Sequence, residues 1–212
     1  MRPRGGASFW GLAVLAPLSL VLTTTVNRLT GRWLTVHAPM WAWLADACIP
    51  STAAALLLYL AMRPARPFAR PWPSTPWARL IRLGAIYLGV WYAALVVVAW
   101  RLGHWPAYAH GAAAVAAFVV VAPLGEEMLF RGALYELTER VWRRGALLVS
   151  TVCFSLHHLE LHGFRATRAA LVQVGFTLVM GWVFGRFRKA SGSLWPGLGV
   201  HLLTNLPSAF GT

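Results

Sequence analysis

The sequence predicts an all-α integral membrane protein, a polytopic bundle of about seven transmembrane helices, or eight if one further or re-entrant segment is present. Hydrophobic residues fill 58% of the 212 positions and charged residues only 12%, whereas soluble domains carry roughly a quarter charged residues. Long apolar stretches recur along the chain, separated by segments rich in arginine, proline and glycine. Too little polar surface remains for a protein dissolved in water.

Seven apolar stretches can be delimited. The first four reach about 20 residues, the length of helix that crosses roughly 30 Å of hydrocarbon. The last three are shorter and contain polar residues, which is typical of helices inside a bundle or beside a water-filled cavity. The sequence therefore predicts that residues 1–212 form a single integral membrane domain. The seven stretches are Ala7 to Val26, Met40 to Met62, Leu83 to Trp100, Ala107 to Gly125, Gly145 to Leu159, Ala169 to Gly185, and Leu194 to Phe210.

The distribution of basic residues predicts the partners and the orientation of the chain. The net charge is +13, but the arginines lie between apolar stretches and not on one solvated face, so no nucleic acid partner is expected. Thirteen basic residues fall on one alternating set of connections, which includes the N-terminus, and five on the other. The positive-inside rule places the N-terminus in the cytoplasm, with the basic connections beside anionic lipids of the bilayer. Frequent Ala, Arg and Trp are typical of a GC-rich genome, so we expect a bacterial inner (plasma) membrane.

Two adjacent acids, Glu126 and Glu127, interrupt the apolar sequence after the fourth stretch. Arg131 follows four residues after Glu127, so on a helix the two would lie side by side and form an ion pair. Glu126 would project about 100° away. One carboxylate is then neutralised, and the other is free to act as a general base or acid. The alternative is an acidic patch at a helix end, but two carboxylates between apolar residues need a polar partner.

The fifth stretch ends in a histidine cluster. Phe154 and His158 share a helical face, whereas His157 turns away, and the cluster continues to Glu160 and His162. A metal pair of His158 and His162 is a weak alternative, because the glutamate of the zinc-binding HExxH pattern is missing. A single histidine here is also compatible with a hydrogen-bonded interior residue.

The seventh stretch carries His201 and Asn205 on one helical face, one turn apart. An imidazole and an amide in this arrangement can donate two hydrogen bonds to a developing oxyanion, or one can bind a metal ion while the other orients it. The alternative is a polar clasp between helices. Counted at about 1.5 Å per residue from the basic helix ends, Glu126, His158 and His201 reach a similar depth, roughly 18 to 21 Å. The similar depth favours one shared site.

These three patterns, in this order, resemble the CAAX protease and bacteriocin-processing (CPBP) family, which includes the type II CAAX endopeptidases of the Rce1-like group. That family is characterised by an EExxxR, an FxxxH and an HxxxN or HxxxD motif in successive membrane segments. The similarity covers about residues 108–210, whereas the first hundred residues match only as generic spans. The residues that carry it are Glu126-Glu127 with Arg131, Phe154 with His158, and His201 with Asn205, flanked by Phe130-Arg131-Gly132 and Ser193-Leu194-Trp195-Pro196.

The resemblance implies hydrolysis of a peptide bond, inside the membrane, in a membrane-anchored protein or peptide, as in C-terminal processing or anchor trimming. It implies that Glu126 activates the water with help from His158, and that His201 and Asn205 hold the water or the oxyanion. The remaining motif residues would support the site: Glu127, Arg131 and Phe154.

The residues alone do not determine whether the site uses a metal ion, or whether the protein is an enzyme, a transporter or an immunity-type protein. Glu126, His158 and His201 could bind Zn²⁺ with an open water position, but a glutamate base with a hydrogen-bonding oxyanion site needs no metal, and we prefer that mechanism. A small transporter would use the same groups to bind an ion or relay protons. An immunity-type protein without proteolysis would use them, with Gly181 and Gly185, only to join helices. The sequence lacks the internal symmetry that is typical of transporters.

Overall fold

A computed structural model of the chain describes residues 74–104, 115–159 and 165–209. Every regular element in these ranges is a helix, which confirms the all-α prediction for this part of the chain. The predicted spans Ala7 to Val26 and Met40 to Met62 lie outside the described residues, apart from one position. The other described residues are single positions: Thr25, Leu29, Trp33, Val36 and His37.

Six α-helices and two π-helical segments make up the described ranges. By length and composition, α1 and α5 could cross a membrane, so the number of about seven spans stays a prediction. In chain order the elements are α1 Trp77–Leu102, π1 Ala117–Val121, α2 Ala122–Glu126, π2 Glu127–Leu134, α3 Tyr135–Val141, α4 Ala146–His157, α5 Arg168–Ser191 and α6 Trp195–Asn205, followed by a 3₁₀ turn, Leu206–Ala209.

Local sequence explains where α5 begins and ends. The hydroxyl of Thr167 accepts a hydrogen bond from the backbone N–H of Ala170 at 3.1 Å, which caps the start of the helix. The helix ends at Gly192, whose φ of 67° lies in the left-handed region that favours glycine. The earlier glycines of α5 keep helical backbone angles, so the helix continues past the predicted end at Gly185.

Residues 117–141 form one continuous helix, the composite helix, built from π1, α2, π2 and α3. The sequence predicts ordinary α-helical spacing here, and the wider π turns are a difference from it. In the i→i+5 register of π1, the carbonyl of Phe118 would accept from residue 123, but Pro123 has no N–H. The side-chain amide of Asn205 donates to that oxygen instead, at 3.2 Å. A neighbouring helix thus supplies a donor in place of the N–H that proline lacks.

Side chains from two other helices bind successive carbonyls of π2. The hydroxyl of Ser150, on α4, donates to the carbonyl of Phe130 at 2.8 Å. The Nε–H of Arg188, on α5, donates to the carbonyl of Arg131 at 3.0 Å. The wide turn is therefore held by hydrogen bonds from outside the helix.

Helices α4 and α5 pack closely because α5 has glycine where α4 comes nearest. A Cβ atom at Gly181 would lie 2.9 Å from Cδ1 of Phe154 and 3.3 Å from Nη2 of Arg131. A Cβ atom at Gly185 would collide with the side chain of Leu147. The two glycines therefore mark a helix contact inside the molecule.

Gly181→Ala is expected to lower the free energy of unfolding by about 1–3 kcal/mol, because Phe154 and the buried Arg131 must move to admit one methyl group. Equilibrium unfolding in detergent measures the change. Gly175→Ala is the matched control on the same helix, since nothing lies within 4 Å of its Cβ position, and alanine there should be neutral or slightly stabilising. Equal destabilisation by both substitutions would contradict the close contact.

The segment before α1 is fastened to the end of α5. The backbone N–H of Ser74 donates to the carbonyl of Ser191 at 2.8 Å, and the hydroxyl of Ser74 donates to the same oxygen at 3.0 Å. The hydroxyl of Thr75 donates to the carbonyl of Ala190. The starts of α1 and α6 and the end of α5 therefore meet at one end of the bundle.

Helix α6 packs against α1, α5 and the composite helix. A Cβ atom at Gly197 would lie only 3.3 Å from the carbonyl oxygen of Phe184, so glycine allows α6 to approach the backbone of α5. This close approach carries His201 and Asn205 to the composite helix.

Candidate active site

The predicted ion pair between Glu127 and Arg131 is present in the core of the bundle. Nη1 of Arg131 lies 3.1 Å from Oε1 of Glu127, and both side chains are buried, at 0% and 1% exposure. Nη2 of Arg131 donates to the carbonyl of Gly181 at 3.2 Å. The guanidinium group also lies 4.1 Å from the ring centroid of Phe154 and 5.6 Å from that of Phe184, a favourable cation–π arrangement. The charge of Glu127 is thus compensated within the protein.

His201 lies between the two glutamates. Its Nδ1 is 3.1 Å from Oε1 of Glu127, and its Nε2 is 3.7 Å from Oε2 of Glu126. A carboxylate only accepts hydrogen bonds, so Nδ1 carries the hydrogen in the bond to Glu127. The ring stacks on Phe184 with centroids 4.3 Å apart, which fixes its orientation.

The two glutamates differ in exposure. The side chain of Glu126 is 15% exposed, whereas that of Glu127 is 1% exposed. Glu127 is shared between Arg131 and His201, and Glu126 faces the opposite edge of the imidazole. Glu126 is the more accessible carboxylate of the pair.

Phe154 joins the second histidine to the cluster. The ring of His158 lies 4.8 Å from that of Phe154, which in turn lies 6.0 Å from the ring of His201. Nδ1 of His158 donates to the carbonyl of Phe154 at 2.8 Å, so Nε2 is the acceptor nitrogen of the neutral ring. His157 turns away, as its position predicts, and packs against Phe130 with centroids 5.6 Å apart.

Asn205 lies one turn beyond His201 on α6, and its amide nitrogen bonds the carbonyl of Phe118 in π1. The other predicted neighbours, Glu160 and His162, lie outside the described residues. The structure therefore joins Asn205 to the composite helix that carries the two glutamates.

The donor geometry bears on a metal site. Among the residues that the structure describes, no group of three or more His, Cys, Asp or Glu side chains is placed to hold a metal ion. Both nitrogens of His201 face carboxylates, and Nδ1 of His158 bonds to its own helix. Nε2 of His158 is the nitrogen left to accept a bond from water or a ligand.

Sequence reasoning missed two side chains that support the site, Ser150 and Arg188. Arg188 falls among basic residues that the sequence assigns to a connection, but it is 7% exposed within α5 and lies over the ring of Tyr135 at 5.3 Å. The hydroxyl of a serine inside an apolar helix needs a hydrogen-bond acceptor. The sequence does not show which carbonyl accepts that bond.

The comparison with protein families agrees with the geometry. Residues 108–207 match the family described as type II CAAX prenyl endopeptidase Rce1-like. Neither the comparison with curated proteins nor that with solved structures gave a match. This match confirms the resemblance carried by the three motifs: residues 108–207 of the chain are similar to type II CAAX prenyl endopeptidases of the Rce1-like family.

Proposed function

We propose that this chain is an intramembrane endopeptidase in which Glu126 activates a water molecule to hydrolyse a peptide bond of a membrane-associated protein or peptide. The observation that carries the proposal is the position of His201, with one ring nitrogen facing Glu126 and the other facing Glu127. Arg131 compensates Glu127, so Glu126 is the carboxylate that can exchange a proton with water.

Charge balance supports this assignment. We propose that His201 carries a proton on each ring nitrogen, because each nitrogen faces a carboxylate oxygen. With Arg131, Glu126 and Glu127 the cluster then holds two positive and two negative charges. A balanced cluster avoids the large cost of an isolated charge in a low-dielectric interior.

In the proposed reaction, Glu126 takes a proton from water while the water oxygen attacks the carbonyl carbon of the substrate. Nε2 of His158 accepts the second hydrogen of that water and so orients it. The resulting oxyanion accepts hydrogen bonds from the Nε2–H of His201 and from the amide of Asn205. Glu126 then gives its proton to the leaving amine, and the C–N bond breaks.

Three fluorogenic peptides in proteoliposomes test the activity and the substrate class. The first ends in a prenylated Cys-aliphatic-aliphatic-X sequence, the second lacks the prenyl group, and the third is a single-span peptide with a C-terminal anchor. The unsubstituted protein should cleave at least one, and Glu126→Ala, His158→Ala and His201→Ala should each abolish that cleavage. Mass spectrometry of the products identifies the bond. Unchanged processing by all three variants would remove the proposal.

We propose that the reaction needs no metal ion. The imidazole nitrogens of His201 face the two glutamates, and an acid–base pair with an oxyanion site suffices for water attack. Incubation with EDTA or 1,10-phenanthroline should therefore leave the rate of peptide cleavage within about twofold of the untreated value. Loss of activity that added Zn²⁺ restores would refute this mechanism.

We also propose that the end of the bundle formed by the start of α1, the α3–α4 turn and the end of α5 faces the cytoplasm, beside anionic headgroups of a bacterial inner membrane. Its exposed basic residues support this orientation under the positive-inside rule. Cysteine introduced at position 143 should react with an impermeant maleimide in inside-out vesicles and not in intact spheroplasts. The reverse labelling pattern would invert the topology. The exposed basic residues are Arg79, Arg82, Arg140, Arg143, Arg144, Arg186 and Lys189.

A further inference from the structure

We infer that α1 is a positioning element of the active site, in which Trp91 and Tyr92 supply hydrogen-bond donors that the last turn of α6 lacks. The inference rests on the proposed function, because α6 carries two of its residues. The family match begins at residue 108, so α1 lies outside it. We call the two side chains, Trp91 and Tyr92, the aromatic clasp.

The clasp binds two successive carbonyls of α6. Nε1–H of Trp91 donates to the carbonyl of Thr204 at 3.0 Å. The hydroxyl of Tyr92 donates to the carbonyl of Leu203 at 2.8 Å. Both distances are those of ordinary hydrogen bonds. The ring of Trp91 also packs on Phe176 of α5, with centroids 5.0 Å apart.

Pro207 explains why these carbonyls need donors from another helix. In an α-helical register, the N–H of residue 207 would bond the carbonyl of Leu203, and in a 3₁₀ register it would bond that of Thr204. Proline has no N–H, so neither bond can form. Within hydrocarbon an unpaired carbonyl is costly because no water replaces the donor. Tyr92 replaces the donor that the α-helical register would give Leu203, and Trp91 replaces the one that the 3₁₀ register would give Thr204.

The bonded carbonyls lie directly before Asn205 and within one turn of His201. Because Trp91 also contacts α5, the clasp sets the position of the α6 end relative to the rest of the bundle. Trp91 and Tyr92 bond the backbone of α6, so they act as positioning residues. Loss of a clasp bond should disturb the oxyanion side of the site and leave substrate binding largely intact.

The test is Tyr92→Phe and Trp91→Phe, alone and with Pro207→Ala, in proteoliposomes with the prenylated fluorogenic peptide as probe. Each aromatic substitution should lower kcat on the order of tenfold, the effect of one lost hydrogen bond, with KM within about twofold. Pro207→Ala restores a backbone N–H at position 207 and should recover most of the kcat of Tyr92→Phe. Trp100→Phe, on an exposed residue of the same helix, is the matched control and should leave kcat unchanged.

Thermal unfolding of the same variants gives a readout that does not depend on turnover. Tyr92→Phe should lower the midpoint more in the parent chain than in the Pro207→Ala background, since the two changes act on one carbonyl. Additive effects on the midpoint, or a kcat of Tyr92→Phe within about twofold of the parent, would overturn the inference. Glu126→Gln is assayed in parallel: if it is inactive while Tyr92→Phe is unaffected, only the clasp fails, whereas an active Glu126→Gln removes the proposed function itself.

Discussion

Replacing Glu126 by glutamine is expected to lower kcat for peptide cleavage by about 10²- to 10⁴-fold, the contribution of a general base. Glutamine has nearly the same size and keeps polar contact with Nε2 of His201, which lies 3.7 Å from the carboxylate. It cannot take a proton from water. The fold should therefore survive while the chemical step is lost, which kcat and KM measured in proteoliposomes would show as a fall in kcat alone.

Glu136→Gln is the matched control for that substitution. Glu136 lies on the same composite helix and pairs with Arg140, whose side chain is 42% exposed. Loss of a charge at that position leaves the candidate site untouched, so kcat should stay at the parent value. Similar losses in both variants would mean that the helix, and not the carboxylate of Glu126, limits the reaction.

Replacing Arg131 by methionine is expected to lower the free energy of unfolding by about 3–5 kcal/mol, because the two buried carboxylates of the cluster are then left with a single cation, His201. The ion pair of Arg131 with Glu127 has side chains exposed by 0% and 1%, and the guanidinium also bonds the carbonyl of Gly181. Unfolding in mixed detergent micelles measures the change. The exposed counterpart, Arg140→Met, should cost about 0–1 kcal/mol.

The double variant Glu127→Gln with Arg131→Met separates charge from packing. Removing both partners removes the uncompensated carboxylate, so the double variant should be more stable than Arg131→Met alone. A double variant as unstable as the sum of the single ones would show that packing of the long Arg131 side chain, and not its charge, holds the core.

The spacing within each motif could be read from the sequence. Glu127 and Arg131 share a helical face, as do Phe154 and His158, wherever the helices lie. The structure has both pairs in contact. Contacts of this kind depend on local geometry alone, which is why spacing suffices to predict them.

The meeting of the motifs depends on tertiary packing. His201 and Glu127 are 74 residues apart in the chain, and only the close approach of α6 to α5 brings them together. The depth estimate placed His201 level with Glu126, but depth does not show which ring nitrogen faces which carboxylate. That detail depends on where α6 places the ring, with Nδ1 facing Glu127 and Nε2 facing Glu126.

The π turns could not be predicted from the sequence, because they too depend on contacts with other helices. Apolar periodicity looks alike in an α-helix and in a slightly wider one. The register depends on which carbonyls find donors elsewhere, here from Ser150, Arg188 and Asn205. Arg188 was assigned to a connection because composition does not distinguish an arginine at a lipid headgroup from one inside the bundle.

The hydrogen bonds of Ser74 and Thr75 to the end of α5 determine where a shortened form of the chain should begin. A fragment cut at residue 108, the first position of the family match, would lose the donors that occupy the carbonyls of Ser191 and Ala190. Those carbonyls lie in the last turn of α5, which leads directly into α6. The segment that matches the family therefore lacks these donors, and a truncation that keeps them must include Ser74.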